Sequence, residues 1–135
     1  MAQTVFENVG ELAAAVGRHL GHSDWLEITQ DRVDLFADAT GDHQWIHVDP
    51  ARAAAGPFGA PIAHGYLTLS LSNLFLPQIV EVRGISAGVN YGADKIRYPA
   101  PVRVGAKVRG GAELLRVAEV PGGVQTTMRI TIEIE

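Results

Sequence analysis

The chain has 135 residues, of which 47% are hydrophobic, 19% charged and 7% aromatic. This is the composition of a globular domain, and it excludes a disordered, fibrous or membrane-spanning chain. The chain contains no cysteine, which excludes disulfides, thiolate metal sites and a thiol nucleophile.

Charge is divided unevenly along the chain. The formal net charge is −4, with 3 Lys and Arg against 10 Asp and Glu over residues 1–82 (−7) and 8 against 5 over residues 83–135 (+3). The basic residues of the second part alternate with apolar ones and do not form the dense basic surface that nucleic-acid binding requires. We interpret most of them as solvated, with contacts to the phosphates of a small acidic ligand as the alternative.

Length and the absence of special segments predict one domain over residues 1–135. A chain of this size buries a proper core without staples. No basic-then-apolar signal pattern opens the sequence, and no run approaches the roughly 18 apolar residues of a membrane span. We therefore expect a cytoplasmic protein that does not contact a membrane.

The first half is predicted to be mainly helical, because capping residues precede apolar stripes at helical spacing. In chain order we first expect a helix over residues 9–16, capped by Asn8, and a strand over residues 20–28. A second helix is capped by Thr29 and ends near Ala39, before Gly41. A short third helix begins at Asp49-Pro50 and ends at Gly56. Residues 63–76 are apolar around most of the helical circumference and are followed by Pro77, which predicts a buried central helix that stops there.

The second half has the two-residue period of half-buried strands. Apolar and polar residues alternate over residues 102–109 and 124–135, and a further run covers residues 85–91. One face of each strand is expected in the core. Several antiparallel strands and one apolar helix predict an α+β fold in which a curved antiparallel sheet wraps around a long central helix.

Polar residues suited to catalysis are concentrated between residues 36 and 50. Asp42 and His47 stand five apart in a segment without helical periodicity, so a loop between Gly41 and Pro50 could aim both side chains at one point. A carboxylate and an imidazole that share one water are the pair that acid–base addition to a double bond requires. The alternative is structural, because an Asp after Gly and a His before a Pro turn commonly serve as caps and Asx turns.

His64 and Gly65 open the apolar helix. The first amides of a helix lack acceptors and can polarise a carbonyl oxygen, and glycine lets a ligand approach them. Tight packing at Gly65 and a satisfied core or capping role for His64 are the alternatives. Ser70 can hydrogen-bond a loop carboxylate such as Asp42 or a carbonyl of its own helix.

No metal or cofactor is expected at these residues. His43, His47 and His64 do not form the His-Glu-x-x-His pattern or a Cys-and-His set by which zinc sites are usually recognised. The sequence also lacks a phosphate-binding Gly-x-x-x-x-Gly-Lys loop, which excludes the nucleotide-binding proteins that use one.

The stretch Ala37-Asp-Ala-Thr-Gly-Asp-His-Gln-Trp-Ile-His-Val-Asp-Pro50, followed by Gly56-Pro-Phe-Gly-Ala-Pro-Ile-Ala-His-Gly65, resembles the hydratase signature of the MaoC-like dehydratase family, the (R)-specific enoyl-CoA hydratases. Gln44-Trp45, Asn90-Tyr-Gly92 and Arg97-Tyr-Pro-Ala-Pro101 resemble its branch of actinobacterial 3-hydroxyacyl-thioester dehydratases and nodulation-N-like proteins. The resemblance covers nearly the whole chain and implies the hot-dog fold.

The resemblance implies reversible addition of water across the double bond of trans-2-enoyl-CoA, giving (R)-3-hydroxyacyl-CoA, as in fatty acid metabolism. It places the catalytic pair at Asp42 and His47, which hold one water, and the thioester carbonyl at the amide of Gly65. The residues implied in supporting roles are His64 and Ser70, the latter as the serine that positions the aspartate. The candidate substrate-binding residues are Trp45, Asn90 and Arg97.

The resemblance further implies a homodimer and a substrate carried on coenzyme A or on an acyl carrier protein, with no cofactor beyond the substrate's own coenzyme A. Many family members have Asn-Pro in place of Gln44-Trp45, which leaves the acyl-chain preference open. The family pattern continues past Glu135 into one more strand, so we expect this chain to lack the family's last strand. Two alternative functions are a non-catalytic acyl-thioester binding module and a hot-dog acyl-CoA thioesterase, whose water attacks the carbonyl carbon.

Overall fold

The computed structural model describes residues 3–135. Their contacts form two compact units, the first built from residues 3–24, 72–94 and 109–132 and the second from residues 25–71, 95–108 and 133–135. Among the described residues, no helix combines the length and the apolar character needed to cross a membrane. The elements in chain order are β1 (Thr4–Phe6), α1 (Val9–Ala13), β2 (His19–His22), β3 (Leu26–Glu27), α2 (Gln30–Thr40), α3 (Trp45–Val48), α4 (Pro50–Ala54), α5 (Gly65–Ser70), α6 (Ser72–Ile79), β4 (Val80–Val82), β5 (Lys107–Val120) and β6 (Gly123–Ile134).

The first unit combines strands with α1 and α6. β1 pairs in parallel with β4, β2 pairs antiparallel with β5, and β6 also pairs with β5. The side-chain oxygen of Asn8 accepts a hydrogen bond from the Glu11 amide at 2.9 Å, so Asn8 caps α1 as predicted. The buried apolar residues of this unit are Phe6, Leu12, Leu20, Phe75, Ile79, Ala112 and Leu114.

The second unit contains α2 to α5 and β3. The Thr29 hydroxyl accepts from the Arg32 amide at 3.2 Å and caps α2 as predicted, and β3 pairs antiparallel with the start of β5. Asp49 caps α4 with Pro50 in its first turn, which confirms the predicted short helix. The buried apolar residues of this unit are Ile28, Val33, Ala37, Ala53, Ile62, Ala63, Leu67, Leu71, Val102 and Val108.

Two backbone hydrogen bonds hold the chain just before α5. The Ala63 amide donates to the Val102 carbonyl at 2.7 Å, and the Val104 amide donates to the Pro61 carbonyl at 2.8 Å. They flank the antiparallel bridge between Ile62 and Arg103. Because main-chain bonds hold both Ile62 and Ala63, the residues that follow, His64 and Gly65, start from a defined position.

The predicted central helix differs from the observed structure. It is divided into α5 and α6, which are separated by Leu71, and Pro77 lies inside α6 instead of ending the helix. Proline removes one amide and therefore one i to i−4 hydrogen bond. Pro77 therefore cannot donate to the carbonyl of Asn73, four residues earlier, and α6 continues with that one bond missing.

The predicted strand over residues 20–28 is also divided. The Ser23 amide continues the pairing of β2 by donating to the Gly110 carbonyl at 2.8 Å, but the next amide, that of Asp24, donates to the side chain of Gln78 at 3.0 Å. The chain leaves the ladder at Asp24 and re-forms a strand only at β3.

Two further predicted strands differ from the structure: one begins later than predicted and the other is absent. Residues 102–106 contain a turn, in which the Ala106 amide donates to the Arg103 carbonyl at 3.0 Å, so β5 begins at Lys107. Residues 85–91 form no strand and are exposed throughout. Alternation describes which side chains a strand would bury, but a strand also needs a hydrogen-bonded neighbour.

β6 confirms the predicted strand at the end of the chain, yet its predicted core face is only partly buried. Every residue of β6 is exposed or intermediate. The short α3 replaces the predicted loop between Gly41 and Pro50: it is a single turn in which the Val48 amide donates to the Gln44 carbonyl at 3.3 Å. One turn is too short to show a helical period in the sequence.

Candidate functional site

Three polar side chains of the second unit converge. One ring nitrogen of His47, one of His64 and a carboxylate oxygen of Asp42 all lie within 4.8 Å of one another. His47 and His64 are 6% and 3% exposed, whereas Asp42 is exposed. The two residues predicted to converge do so, and His64 is a third member of the cluster.

The end of α2 sets the position of Asp42. α2 ends at Gly41, whose φ of 82° is in the left-handed region that favours glycine. The Gly41 amide donates to the Ala37 carbonyl at 2.8 Å, and the chain then turns away from the helix axis. One oxygen of the Asp42 carboxylate accepts from the Gln44 amide at 3.3 Å. The Asx turn weighed as the alternative role is therefore present, and the second carboxylate oxygen stays available for other chemistry.

The peptide of Ile62 orients His47. His47 Nδ1 lies 2.7 Å from the Ile62 carbonyl oxygen in a buried hydrogen bond, and the Ile62 amide donates to the Ile46 carbonyl at 3.0 Å. A carbonyl only accepts, so Nδ1 carries the proton. The other ring nitrogen, Nε2, is then free to accept or transfer a proton, as a general acid–base group requires.

His64 lies between two rings. Its ring stacks on the His47 ring, with centroids 3.9 Å apart and planes 24° apart. The centroid of the His64 ring also lies 4.9 Å from that of the Phe36 ring. His64 Nε2 lies 3.0 Å from the main-chain oxygen of Asp42, whereas His64 Nδ1 is buried without a partner among residues 3–135. His64 thus contacts both members of the predicted pair.

The stacking of the two imidazoles argues against joint metal coordination. A metal bound by histidine lies close to the plane of each ring, along the nitrogen lone pair. Two rings with centroids 3.9 Å apart and planes 24° apart hold their lone pairs in two separate, nearly parallel planes. An ion held in the plane of one ring would therefore lie outside the plane of the other, so the stacking disfavours one ion bound by both rings.

Gly65 begins α5 beneath an aromatic ring. The amides of Leu67 and Thr68 both donate to the His64 carbonyl, which leaves the amides of Gly65 and Tyr66 without an acceptor in the helix. A Cβ on Gly65 would lie 2.9 Å from the ring of Tyr98, so close packing requires glycine here. Burial raises the pKa of the Tyr98 hydroxyl, and the Tyr98 ring meets Tyr66 edge to face at 6.5 Å.

The contacts found for the other predicted site residues are to residues outside the cluster of Asp42, His47 and His64. The Ser70 hydroxyl donates to the Tyr66 carbonyl at 2.7 Å, which is the bond within its own helix and not one to Asp42. The guanidinium carbon of Arg52 lies 4.4 Å from the centroid of the Trp45 ring, which is a cation–π contact. Arg97 is exposed and donates to the Ile96 carbonyl, and Asn90 is exposed in the first unit.

A charged pair flanks Asp42. His43 Nε2 lies 3.0 Å from Asp38, and this hydrogen bond raises the pKa of His43, with smaller contributions from the Gly41 backbone and from the charges of Asp38 and Asp42. Both side chains of the pair are largely exposed. The pair therefore spans the turn that carries Asp42 without burying charge.

Sequence reasoning missed some relevant features. The supporting contacts from the Ile62 peptide, Phe36 and Tyr98 depend on tertiary structure and leave no local pattern. The sequence also contains the Gly-x-Ser-x-Gly spacing at Gly84, Ser86 and Gly88. Because residues 83–101 are exposed and form no helix, the strand–turn–helix context of a nucleophile elbow is missing there.

Known proteins with similar sequences place this site in a family. Residues 11–133 match the family model described as a MaoC like domain, and the chain belongs to this family. It is 55% identical over 131 residues to 3-hydroxyacyl-thioester dehydratase Z of Mycobacterium tuberculosis, covering 96% of this chain and 87% of the relative. It is 43% identical over 132 residues to nodulation protein N of Rhizobium leguminosarum, covering 95% and 81%.

A solved structure agrees with this placement. The unliganded R-hydratase of Pseudomonas aeruginosa matches with a TM-score of 0.63 and 27% identity, over 87% of this chain and 72% of the other. The predicted α+β hot-dog fold and the predicted resemblance to MaoC-like dehydratases are confirmed.

Proposed function

We propose that this protein is a hydro-lyase that adds water to the double bond of a trans-2-enoyl-CoA thioester, giving the (R)-3-hydroxyacyl thioester, and that catalyses the reverse dehydration. The names of its relatives, a 3-hydroxyacyl-thioester dehydratase and an R-hydratase, support this reaction. The observation that carries the proposal is the convergence of the Asp42 carboxylate with the His47 imidazole within 4.8 Å.

The geometry suits one shared water. A water that bonds two groups at about 2.8 Å each, with a near-tetrahedral angle, separates those groups by about 4.6 Å. That separation falls inside the 4.8 Å within which the polar atoms of the cluster lie. The water oxygen bonds to C3 while one of its protons passes to Asp42. His47, protonated at Nε2, gives a proton to C2, and transfer of a proton from Asp42 to His47 restores both groups. The net change is the addition of one water.

The amide of Gly65 is proposed to polarise the thioester carbonyl. Addition at C3 places negative charge on that carbonyl oxygen, and a fixed N–H donor stabilises such charge without reorganising. Two features support this role: the Gly65 amide has no acceptor within α5, and the adjoining residue, His64, belongs to the cluster. Tyr98 covers the Cα side of Gly65, so the thioester must approach from another side.

The remaining assignments are also proposals. The acyl group is carried by coenzyme A or an acyl carrier protein, no cofactor takes part, and the enzyme is a cytoplasmic homodimer. The absence of cysteine suits a reducing compartment. Trp45 and Arg97, which belong to the same unit as the cluster, are proposed to contact the substrate. The hydrogen bond of Ser70 to Tyr66 gives no support to a role in positioning Asp42.

The products of one reaction separate the candidate functions. With crotonyl-CoA as the substrate, we expect the enoyl absorbance to fall while no free thiol appears. Release of free coenzyme A would instead identify a thioesterase, and binding without either change would identify a non-catalytic module. Chiral analysis of the product is expected to give the (R)-3-hydroxy thioester, and the (S) product would contradict the assignment.

A further inference from the structure

His64 contacts both members of the proposed pair, each through a different part of its ring. The Nε2 edge meets the main chain of Asp42, with 3.0 Å between Nε2 and the carbonyl oxygen. The flat face meets His47, with centroids 3.9 Å apart. The pair is therefore connected through one buried side chain as well as through the backbone between them.

The hydrogen bonds fix a single tautomer of His64. Its Nε2 carries the proton, because the Asp42 carbonyl can only accept. Its Nδ1 is buried without a partner among the described residues, so a proton placed there would have no acceptor. That proton would also bring positive charge against the ring of His47, the group that must itself carry a proton during the proposed reaction.

Packing alone does not account for a histidine at this position. The ring lies between Phe36 and His47, and a phenyl ring would fill that space without leaving a buried nitrogen unpaired. An unpaired buried polar atom is unfavourable and calls for an explanation. The feature that a phenyl ring could not supply is the Nε2–H donor to Asp42.

We propose that His64 is a positioning residue, which holds the Asp42 main chain through Nε2–H while its ring face restricts the rotation of His47. This proposal rests on the proposed hydratase function. His64 does not itself touch the reacting atoms. Its contribution is to keep the carboxylate and the imidazole at the separation that one water can span, and misplacing a catalytic group by about 1 Å can cost on the order of 100-fold in rate.

Two substitutions separate the hydrogen bond from the stacking. His64→Gln keeps an N–H donor that can reach the Asp42 carbonyl but removes the ring, and His64→Phe keeps the ring but removes the donor. We expect His64→Phe to lower kcat for crotonyl-CoA hydration by roughly 100-fold with KM changed less than about threefold. His64→Gln should recover about tenfold or more of that loss. Leu35→Ala, on the exposed face of α2, is the control and should match the parent.

The outcomes are distinct. A His64→Phe variant that keeps the parent kcat overturns the positioning role, as does a His64→Gln variant no faster than His64→Phe. If the parent protein hydrates none of crotonyl-, octenoyl- and longer enoyl-CoA, the proposed function fails, and the positioning role fails with it. A parent that is active and loses activity on Asp42→Asn, but not on His64→Phe, removes only the positioning role.

A measurement on the parent protein covers the case in which the variants do not fold. Nitrogen-15 NMR of the histidine side chains is expected to show His64 protonated at Nε2 and bare at Nδ1, with a coupling across the hydrogen bond to the Asp42 carbonyl. The opposite tautomer, or a ring that exchanges freely between both, would overturn the proposal.

Discussion

Gly65 is packed against Tyr98, and this contact gives a direct prediction at the scale of one residue. In Gly65→Ala the new Cβ would lie 2.9 Å from the Tyr98 ring. Overpacking costs about 1–3 kcal/mol in a well-packed core. Because Tyr98 is 47% exposed and its ring can move aside, we expect the free energy of unfolding in urea to fall by no more than this amount.

The same substitution in a Tyr98→Ala protein tests whether the Tyr98 ring causes the loss of stability. In a Tyr98→Ala protein the clash is absent, and alanine is the better helix former at the start of α5. Adding Gly65→Ala there is expected to leave stability unchanged or slightly raised. An equal loss of stability in both backgrounds would show that Tyr98 is not the obstacle.

His43 gives a prediction about pH. Its hydrogen bond to Asp38 raises the pKa of His43, so the charged form is favoured in the folded protein. The stabilisation is fully present below the ordinary pKa of histidine and is lost as pH rises through the raised value. In Asp38→Asn, NMR titration is expected to show the pKa of His43 returning toward its ordinary value, and an unchanged titration would contradict this cause.

At the scale of an element, the C-terminus of α2 positions Asp42. Gly41 has a φ of 82°, and a side chain in that conformation costs about 1–2 kcal/mol. We expect Gly41→Ala to lower the free energy of unfolding by about this amount and to slow hydration by displacing Asp42. Gly41→Asn, which tolerates this backbone conformation better, is the matched control, and equal stability of the two variants would contradict the argument.

Local chemistry explains which elements the sequence analysis predicted correctly. The caps at Asn8, Thr29 and Asp49 each depend on residues three apart, and all three are present in the structure. Predictions that required a distant partner were less successful. Residues 85–91 have strand-like alternation but form no strand. The predicted stop at Pro77, which is a local rule, was also wrong, because α6 continues through the proline.

The same distinction applies to the site. Asp42 and His47 were predicted from their own segment, where a glycine turn and a proline bracket them. The stacking of His64 on His47 was not predicted, because it depends on the pairing of residues 61–63 with residues 102–104. That pairing joins segments about 40 residues apart in the sequence.

At the scale of the whole molecule, apolar side chains are exposed in the segment after β4. Val89 and Tyr91 are 87% and 86% exposed, and such patches commonly mark interaction surfaces. For the proposed homodimer, sedimentation equilibrium is expected to give twice the mass of the chain, and Val89→Asp is expected to weaken association. Leu35→Asp, at another exposed site, is the control. A parent that remains monomeric at all concentrations tested would contradict the dimer.

That residues 1–135 form one domain stays a prediction, and so do the roles of the site residues. The family and the fold do not depend on those roles.

The central claim is that Asp42 and His47 act together on one water. The most direct test is the rate of crotonyl-CoA hydration by the parent, by Asp42→Asn and by His47→Gln, with thermal unfolding to show that each variant is folded. We expect each substitution to lower kcat by about 10²–10⁴-fold, the usual contribution of a positioned acid–base group. An Asp42→Asn protein that hydrates crotonyl-CoA as fast as the parent would contradict the account.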